Sequence, residues 1–545
     1  MDNVLGEYPR PQLRRDSYIN LNGNWKCRID DSNGEFKYKG SILVPYSPET
    51  TKSGVHVTVM PGDTINYYTE LKLPKNFVKD RVLFNFGAVD QICTLYVNER
   101  RVGTHYGGYI PFSFDITDYL NDENKIRIEV KDYTEKSGLS RGKQSLKPSG
   151  IMYQAQSGIW QTIWLESVPK YYIKNVKITP NVDNQSVSIK VISNKDESCL
   201  VIIDDKLYKL TTNKTHEIKL DNPKYWSIDN PYLYDVKIKT YSDEVRTYFG
   251  YRKIEVKKET DIPYLYLNNE KIFIKGILEQ GYYKDGLYTL DDYNTILDDI
   301  RTIKECGFNT IRKHIKIEPA LYYYYCDLNG MLVIQDMVNG GGKYNKAVVG
   351  LPIFVDGLNL SDSNYMLFSR NNENAKKVFE YEVKKTVESL YSFPSIIMWT
   401  IFNEGWGQYD SKELYDLVSR LDKSRIIDPS SGWYDQGIGV LKSDHNYYKP
   451  YNYKMDELER ATLLSEFGGY SLGDSKFTYK SCASEKEYLY ALKRLIERDV
   501  KPYIDNGLVG YVYTQYNDIQ DEQNGIVNED RKLKTKNISN IFKEL

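Results

Sequence analysis

After about residue 260 this 545-residue chain changes rhythm, and that change constrains its fold more than any other feature. From there on, short apolar runs alternate with longer segments of helical period, the pattern of βα units around a parallel sheet. Eight candidate strands follow one another: Lys271-Ile-Phe-Ile-Lys-Gly276, Phe308-Asn-Thr-Ile-Arg312, Met331-Leu-Val-Ile334, Ile396 to Phe402, Arg425-Ile-Ile427, Asp444-His-Asn446, Thr462-Leu-Leu464 and Leu508-Val-Gly-Tyr-Val-Tyr513. Between several of them the period is helical. Asp292 to Glu305 sets Ile296, Ile300 and Ile303 on one face, and Ala375 to Leu390 and Lys486 to Arg498 behave alike. Eight strands with interleaved helices predict a C-terminal (β/α)8 TIM barrel over residues 259–545. The fifth and sixth strands are the weakest of the set.

Upstream of that boundary no helical period persists. Residues 1–168 carry short or alternating apolar runs (Val82-Leu-Phe-Asn-Phe86, Thr94-Leu-Tyr-Val97, Lys125-Ile-Arg-Ile-Glu-Val130, Gly158-Ile-Trp-Gln-Thr-Ile-Trp-Leu165) punctuated by turn residues, which predicts a jelly-roll β-sandwich. Residues 169–258 repeat the pattern in Val187-Ser-Ile-Lys-Val-Ile192, Cys199-Leu-Val-Ile-Ile203 and Tyr234-Asp-Val-Lys-Ile-Lys239, with the length and spacing of an immunoglobulin-like β-sandwich.

Composition narrows the function classes. A net charge of −2 gives no basis for a nucleic-acid or anionic-membrane partner, and no apolar run is long enough to span a bilayer. The six cysteines are scattered without a C-x-x-C, which reads as free buried thiols in a reducing, cytoplasmic setting. The five histidines show no metal-ligand spacing, so no metal and no cofactor are expected. Tyr is over-used, with 50 copies; most suit strands and cores, and some suit sugar-stacking surfaces.

Two of the candidate strands end on an acid. Ile396-Ile-Met-Trp-Thr-Ile-Phe-Asn-Glu404 delivers one carboxylate behind an apolar run, and Leu463-Leu-Ser-Glu466 delivers another. Burying an acid is unfavourable unless its charge or proton is used. Alone, either Glu reads best as a strand-end residue paired with Lys or Arg. Together, at the C-terminal tips of the fourth and seventh strands, they share the barrel face where chemistry is done. A protonated carboxyl beside an ionised one is what cleavage of a glycosidic bond requires. The surroundings divide the roles. Trp399, Ile401, Phe402 and Trp406 make an apolar setting that would raise the pKa of Glu404 as an acid/base, whereas backbone N–H groups of the Gly468-Gly469 turn could hold the charge of Glu466 as nucleophile.

Here the chain resembles a known family. Phe393-Pro-Ser-Ile-Ile-Met-Trp-Thr-Ile-Phe-Asn-Glu-Gly is similar to the acid/base signature of glycoside hydrolase family 2, the β-galactosidase, β-glucuronidase and β-mannosidase group. Ser465-Glu-Phe-Gly-Gly resembles its nucleophile segment, and Ser157-Gly-Ile-Trp-Gln-Thr-Ile-Trp the end of its sugar-binding jelly roll. The resemblance implies Glu404 as acid/base, Glu466 as nucleophile and Asn403 as a ligand of the sugar 2-hydroxyl. Asn309-Thr-Ile-Arg-Lys-His314 resembles the second-strand motif that brings an Arg and a His to the sugar, here Arg312 and His314. A buried, hydrogen-bonded histidine is the plainer alternative for His314.

Other strand tips supply further candidates. Asp336 could bind sugar hydroxyls or support the residues that do; Trp433 and His445 are candidate pocket walls; Gln515 and Asn517 would border the site beyond the eighth strand. Trp399 reads as core. The loop Glu279-Gln-Gly-Tyr-Tyr-Lys-Asp-Gly-Leu-Tyr288 departs from the family's Asn-Arg-His pattern, and no Asn-x-Lys of the kind that grips a glucuronide carboxylate follows the last strand. Asp530-Arg-Lys532 stands there instead, with Arg531 read as a solvated charge. The expectation is therefore a retaining exo-β-glycosidase working through a covalent glycosyl intermediate, with β-galactosidase first, β-glucuronidase or β-mannosidase as alternatives, and a non-catalytic carbohydrate-binding protein as the different-class alternative. A carbohydrate is the expected partner, with a homo-oligomer possible in principle.

Overall fold

A computed structural model describes residues 4–355 and 357–544. In the N-terminal domain a pair of antiparallel sheets lie face to face. The six-stranded one includes Gly23–Asp30 and Asn124–Lys131, and the four-stranded one includes Arg81–Phe86 and Ile163–Val168. Strict alternation builds the core: Trp25, Cys27 and Ile29 from one strand and Ile126, Ile128 and Val130 from another meet Phe84, Phe86 and Leu165 of the opposite sheet. The second sandwich has a three-stranded and a four-stranded sheet around Val176, Ile189, Val201 and Ile238.

The eight barrel strands are Ile274–Glu279, Thr310–Lys313, Leu332–Asp336, Ile396–Thr400, Ile426–Asp428, Leu441–Asn446, Ala461–Gly468 and Leu508–Thr514, all parallel. Most of these strands are buried along their whole length, as a sheet covered on both faces demands. The ladder runs from the fifth strand back to the first and on through the eighth, seventh and sixth. At the remaining seam, between fifth and sixth, a Gly432–Asp444 bridge closes the ring, with the Gly432 N–H donating to the Ser443 carbonyl at 3.2 Å. The two strands that are weakest in the sequence thus flank the one gap in the ladder.

Several strand boundaries differ from expectation, the sixth strand starting earlier at Leu441 and the seventh running on to Gly468, and two differences change the layout. Glu270–Ile272 belongs to a small antiparallel sheet with Ile254–Glu259 and Ile262–Leu267, so the first barrel strand begins at Ile274. That sheet covers the lower end of the barrel, where Ile254, Leu265 and Leu267 join Leu278, Ile334, Met398, Leu463 and Val512 in one apolar cluster. The fourth strand is regular only to Thr400. The expected helices form as Asn294–Glu305, Glu373–Leu390 and Glu485–Asp499, the second capped by Asn372 and the third by Ser484.

The jelly roll is clamped to the barrel mouth. Arg141 donates from its backbone to the Asn339 carbonyl at 3.0 Å and from its guanidinium to the carbonyls of Gly341 and Gly342, while its charge lies over the Tyr344 ring. All six cysteines are buried and free. Among the described residues no helix is long and apolar enough to cross a membrane.

Candidate active site

The barrel brings the two acids together by different local devices. Beyond Thr400 the chain leaves the fourth strand, and a parallel bridge between Asn403 and Ser431 carries it along the fifth. Glu404 then takes a left-handed backbone (φ 51°), held by its N–H to the Ser431 carbonyl at 2.9 Å. Such a conformation is costly for a non-glycine residue and turns the side chain out of the strand's alternation. On the seventh strand the device is a bulge. Asp444 pairs with Leu464 but His445 with Glu466, so Ser465 is an extra residue. Consecutive side chains can then both be used inside the barrel. Ser465 Oγ meets Ser443 Oγ at 2.6 Å and Ser431 Oγ at 2.9 Å, and Glu466 reaches Arg312.

A carboxylate oxygen of Glu404, a ring nitrogen of His445 and a carboxylate oxygen of Glu466 lie within 4.8 Å of one another, all three residues buried. The histidine spacing along the chain does not foreshadow this grouping, which on distance alone could hold a cation. Positive charge is already supplied by Arg312, whose Nη1 stands 3.0 Å from Glu466.

Arg312 is fully buried and organises the site. Its Nε and Nη2 grip Asp336 in a two-pronged pair, each at 3.0 Å. Nη2 also donates to Asn403 Oδ1 at 2.8 Å, and Nη1 to Glu466, to the Ser465 carbonyl and to His445 Nε2. Because Nε2 accepts from Arg312, the His445 proton belongs on Nδ1, which donates to Glu404 Oε1 at 2.8 Å. Asp336 also meets His314 Nδ1 at 3.1 Å. Asp336, 1% exposed and gripped from two sides, acts as support for its neighbours. His314 is the buried, hydrogen-bonded histidine of the plainer reading, yet it stands 3.9 Å from Glu466.

Burial opposes ionisation of Glu466, but the charges of His445, Arg312 and His314 and the Tyr447 hydroxyl outweigh it and hold the carboxyl down at about 2. His314 itself is pushed down to about 4 by burial and by the Lys143 ammonium, so at neutral pH it adds no positive charge beside Glu466. The expected backbone N–H support from Gly468-Gly469 is not what holds this charge. No such hydrogen bond forms among the described residues; Gly468 pairs with Thr514 instead. Tyr447, which donates to Glu466 Oε2, lies one residue past the expected sixth strand and is not among the sequence candidates. It stacks on Tyr479 with centroids 3.9 Å apart, and Tyr479 is likewise new to the site.

The remaining candidates divide. Trp433 packs edge-on against His445, and its buried indole N–H, like that of Trp406, has no partner among the described residues. Trp399 is core, donating to Asp422 at 3.0 Å. Gln515 joins Gln280 and Asn524 at the first and eighth strand tips. Asn517 hydrogen-bonds to the carbonyls of Tyr282 and Asp518, and among the described residues no hydrogen bond links it to the acids. Arg531 is not a solvated charge. It pairs with Asp299 at 2.5 Å and lies over the Tyr283 ring.

Family models match nearly the whole chain: "Glycosyl hydrolases family 2, sugar binding domain" over residues 16–169, "Glycosyl hydrolases family 2" over 171–252 and "Glycosyl hydrolases family 2, TIM barrel domain" over 254–540. The chain belongs to glycosyl hydrolases family 2. Among its relatives, a β-galactosidase of Thermoanaerobacter pseudethanolicus is 24% identical over 444 residues, 75% of this chain and 54% of that protein. A putative β-glucuronidase of Formosa agariphila is 26% identical over 443 residues, 71% of this chain and 48% of that one. The chain therefore spans about half the length of these curated relatives. Solved structures match it end to end. A β-D-glucuronidase from Dictyoglomus thermophilum aligns with a TM-score of 0.76 at 20% identity over 98% of both chains. A family 2 β-galacturonidase from Eisenbergiella tayi bound to galacturonate aligns at 0.74 and 19% over 99% of both. At such identity these structures speak to the fold.

Proposed function

We propose that this family 2 protein is a retaining exo-β-glycosidase acting on a terminal β-linked sugar. The observation that carries the reading is a pair of buried carboxylates in unlike surroundings, with one oxygen of each within 4.8 Å of the other. Retaining enzymes space their two carboxyl groups about 5–5.5 Å apart, whereas inverting ones leave about 6.5–9.5 Å for a water. Glu466, held ionised well below neutral pH, suits the nucleophile. Its oxygen attacks the anomeric carbon while Glu404 gives a proton to the departing glycosidic oxygen, leaving a glycosyl ester on Glu466. Glu404 then takes a proton from water, whose oxygen attacks the same carbon and releases Glu466. With Glu404 Oε1 accepting from His445, Oε2 is the oxygen available to carry the proton. Asn403, its Oδ1 taken by Arg312, is oriented to offer its NH2 to the sugar 2-hydroxyl.

For the sugar, a β-galactoside is the first reading, in line with the β-galactosidases among the relatives. The uronidases named among the relatives and matching structures favour a uronide as the alternative. Arg531, the cation nearest in sequence to the missing Asn-x-Lys, is committed to Asp299, which weighs against that alternative.

The test is proton NMR of the first-formed anomer during turnover of a nitrophenyl β-D-galactoside, with Glu466→Gln as the control. The β-anomer should appear first, and turnover should fall on the order of 10³-fold or more in the variant. An α-anomer, or unimpaired turnover by Glu466→Gln, would refute the assignment.

A further inference from the structure

Near the ends of the first and eighth barrel strands lie two charged side chains that the reaction above does not use. Lys143 comes from the jelly-roll loop clamped by Arg141 and is 5% exposed; Glu522, in the segment after the eighth barrel strand, is 2% exposed. Their ion pair is long, with Lys143 Nζ 3.7 Å from Glu522 Oε2, beyond a hydrogen bond. Among the described residues the ammonium makes no hydrogen bond. Glu522 is anchored, because its Oε2 accepts from Gln280 Nε2 at 3.2 Å, and Gln280 also donates to Gln515 Oε1 at 2.5 Å. Gln280 and Gln515 each directly follow the last residue of the first and the eighth strand, next to the seventh strand that carries Glu466.

Lys143 is held there from its own side. At Gly142 a Cβ would come within 3.2 Å of the Ile315 carbonyl oxygen and 3.1 Å of the Tyr288 hydroxyl. The loop therefore threads closely past the residue after His314, where a side chain would be crowded and the backbone, at φ 64°, strained. Glu522 reaches the acids through its neighbours: its Oε1 lies 3.5 Å from Asn524 Nδ2, Asn524 and Tyr479 both flank Gly469, and Tyr479 stacks on Tyr447, which donates to Glu466. Burial and then the Lys143 charge lower His314, while burial and then the charges of Glu404, Glu522 and Glu466 raise the Tyr479 hydroxyl.

A buried ammonium with its donors unused, beside a fixed carboxylate one hydrogen bond too far away, is an unfavourable arrangement that a ligand oxygen would relieve. A sugar hydroxyl both accepts and donates, so one hydroxyl can bridge the pair, or two neighbouring ones can take one partner each. A uronate carboxylate cannot do this. It brings only acceptors, and its charge would lie against Glu522 in a low-dielectric setting. We propose that Lys143 and Glu522 form a charge-paired subsite that binds hydroxyl groups of an uncharged terminal sugar and selects against a uronide. The proposal rests on the glycosidase reading and adds to it the substrate class and a specificity residue from the N-terminal domain.

The experiment compares kcat/KM of the full chain, Lys143→Met and Glu522→Gln on nitrophenyl β-D-galactoside, its 3-, 4- and 6-deoxy analogues and the β-D-galacturonide. The unmodified chain should prefer galactoside to galacturonide. Lys143→Met should lose between about tenfold and a hundredfold on the galactoside, the scale of a charge-assisted hydrogen bond, and lose almost nothing further on the deoxy sugar lacking the bound hydroxyl. Glu522→Gln, nearly isosteric, should raise the galacturonide-to-galactoside ratio about tenfold or more. Thermal melts confirm that both variants are folded. Should Lys143→Met not fold, the Glu522→Gln ratio alone decides the matter. An unmodified chain that prefers the galacturonide, a deoxy penalty unchanged in Lys143→Met, or an unchanged ratio in Glu522→Gln would each overturn the proposal while leaving the glycosidase reading intact. Hydrolysis of no aryl β-glycoside by the unmodified chain would instead defeat the glycosidase reading.

Discussion

At the scale of single residues, Arg312 decides the electrostatics of the site. It is fully buried between two carboxylates, Asp336 and Glu466, and its guanidinium keeps its charge at every working pH. Replacing it with Leu leaves both acids buried without their counter-ion, a change that costs about 3–5 kcal/mol. Chemical denaturation of Arg312→Leu should show that loss. The sign of the pH effect follows from Glu466, whose folded pKa is depressed to about 2. A depressed carboxylate contributes stability that is present above its unfolded value of about 4.3 and is lost as pH falls through the folded value. In the unmodified chain that window lies between about pH 5 and 2, and the acid limb of kcat/KM should lie below the ordinary carboxylate range. In Arg312→Leu the limb should move up toward neutrality; an unmoved limb would assign the low pKa to other neighbours. The sequence made Arg312, His314, Asn403 and both acids legible because each sits in a contiguous motif at a strand tip. Tyr447 and Tyr479 carry no such mark among 50 tyrosines, and only the fold shows which two stack beside Glu466.

At the scale of elements, the site depends on irregularities that apolar periodicity does not report. The eight strands are readable as runs of apolar residues, but the Ser465 bulge, the left-handed turn at Glu404 and the seam between the fifth and sixth strands are not. The misplaced start of the first strand has the same origin: Lys271-Ile272 and Ile274 to Glu279 form one apolar stretch that the fold splits between a hairpin and the barrel. The seam is where geometry is tightest. Gly432 has φ 88°, and a Cβ there would stand 2.7 Å from the His445 ring. Gly432→Ala must therefore strain the backbone and push His445 away from Glu404. The expected result is about 1–3 kcal/mol of lost stability, together with at least about a tenfold fall in kcat. Kinetics on a protein shown to be folded by its melt would check it. Full activity would mean that His445 does not need its present position.

At the scale of the whole molecule, the barrel is joined to both sandwiches through buried acids that burial makes harder to ionise. Glu382, on the helix Glu373–Leu390, accepts from the Ser140 hydroxyl of the jelly-roll loop at 2.5 Å. Asp327, in the barrel, accepts from the Tyr248 hydroxyl of the second sandwich at 2.9 Å and from the Ser395 N–H at 2.8 Å. Burial raises both to about 7, against the hydrogen bonds they accept and the weaker pull of Arg370 on Glu382 and of Arg425 on Asp327. Within the jelly roll burial lifts Glu49 to about 8. A carboxyl whose folded pKa is raised contributes stability that is full below its unfolded value and is lost as pH rises through the folded one. These three groups act together between about pH 5 and 8. His105 and His314, both lowered to about 4, oppose them only below about pH 6.5, where an unfolded histidine takes up its proton. Between pH 6.5 and 8 the acids act unopposed by histidine, so the melting temperature should fall as the buffer is made more alkaline. Asp327→Asn and Glu382→Gln keep the shape of the acids and remove the titration, so each should flatten the slope, and the double variant should flatten it further because the two junctions are separate. A melting temperature indifferent to pH over that interval, or a slope unaltered in the double variant, would mean that the junctions are already charged and that something other than protonated carboxyls holds the three units together.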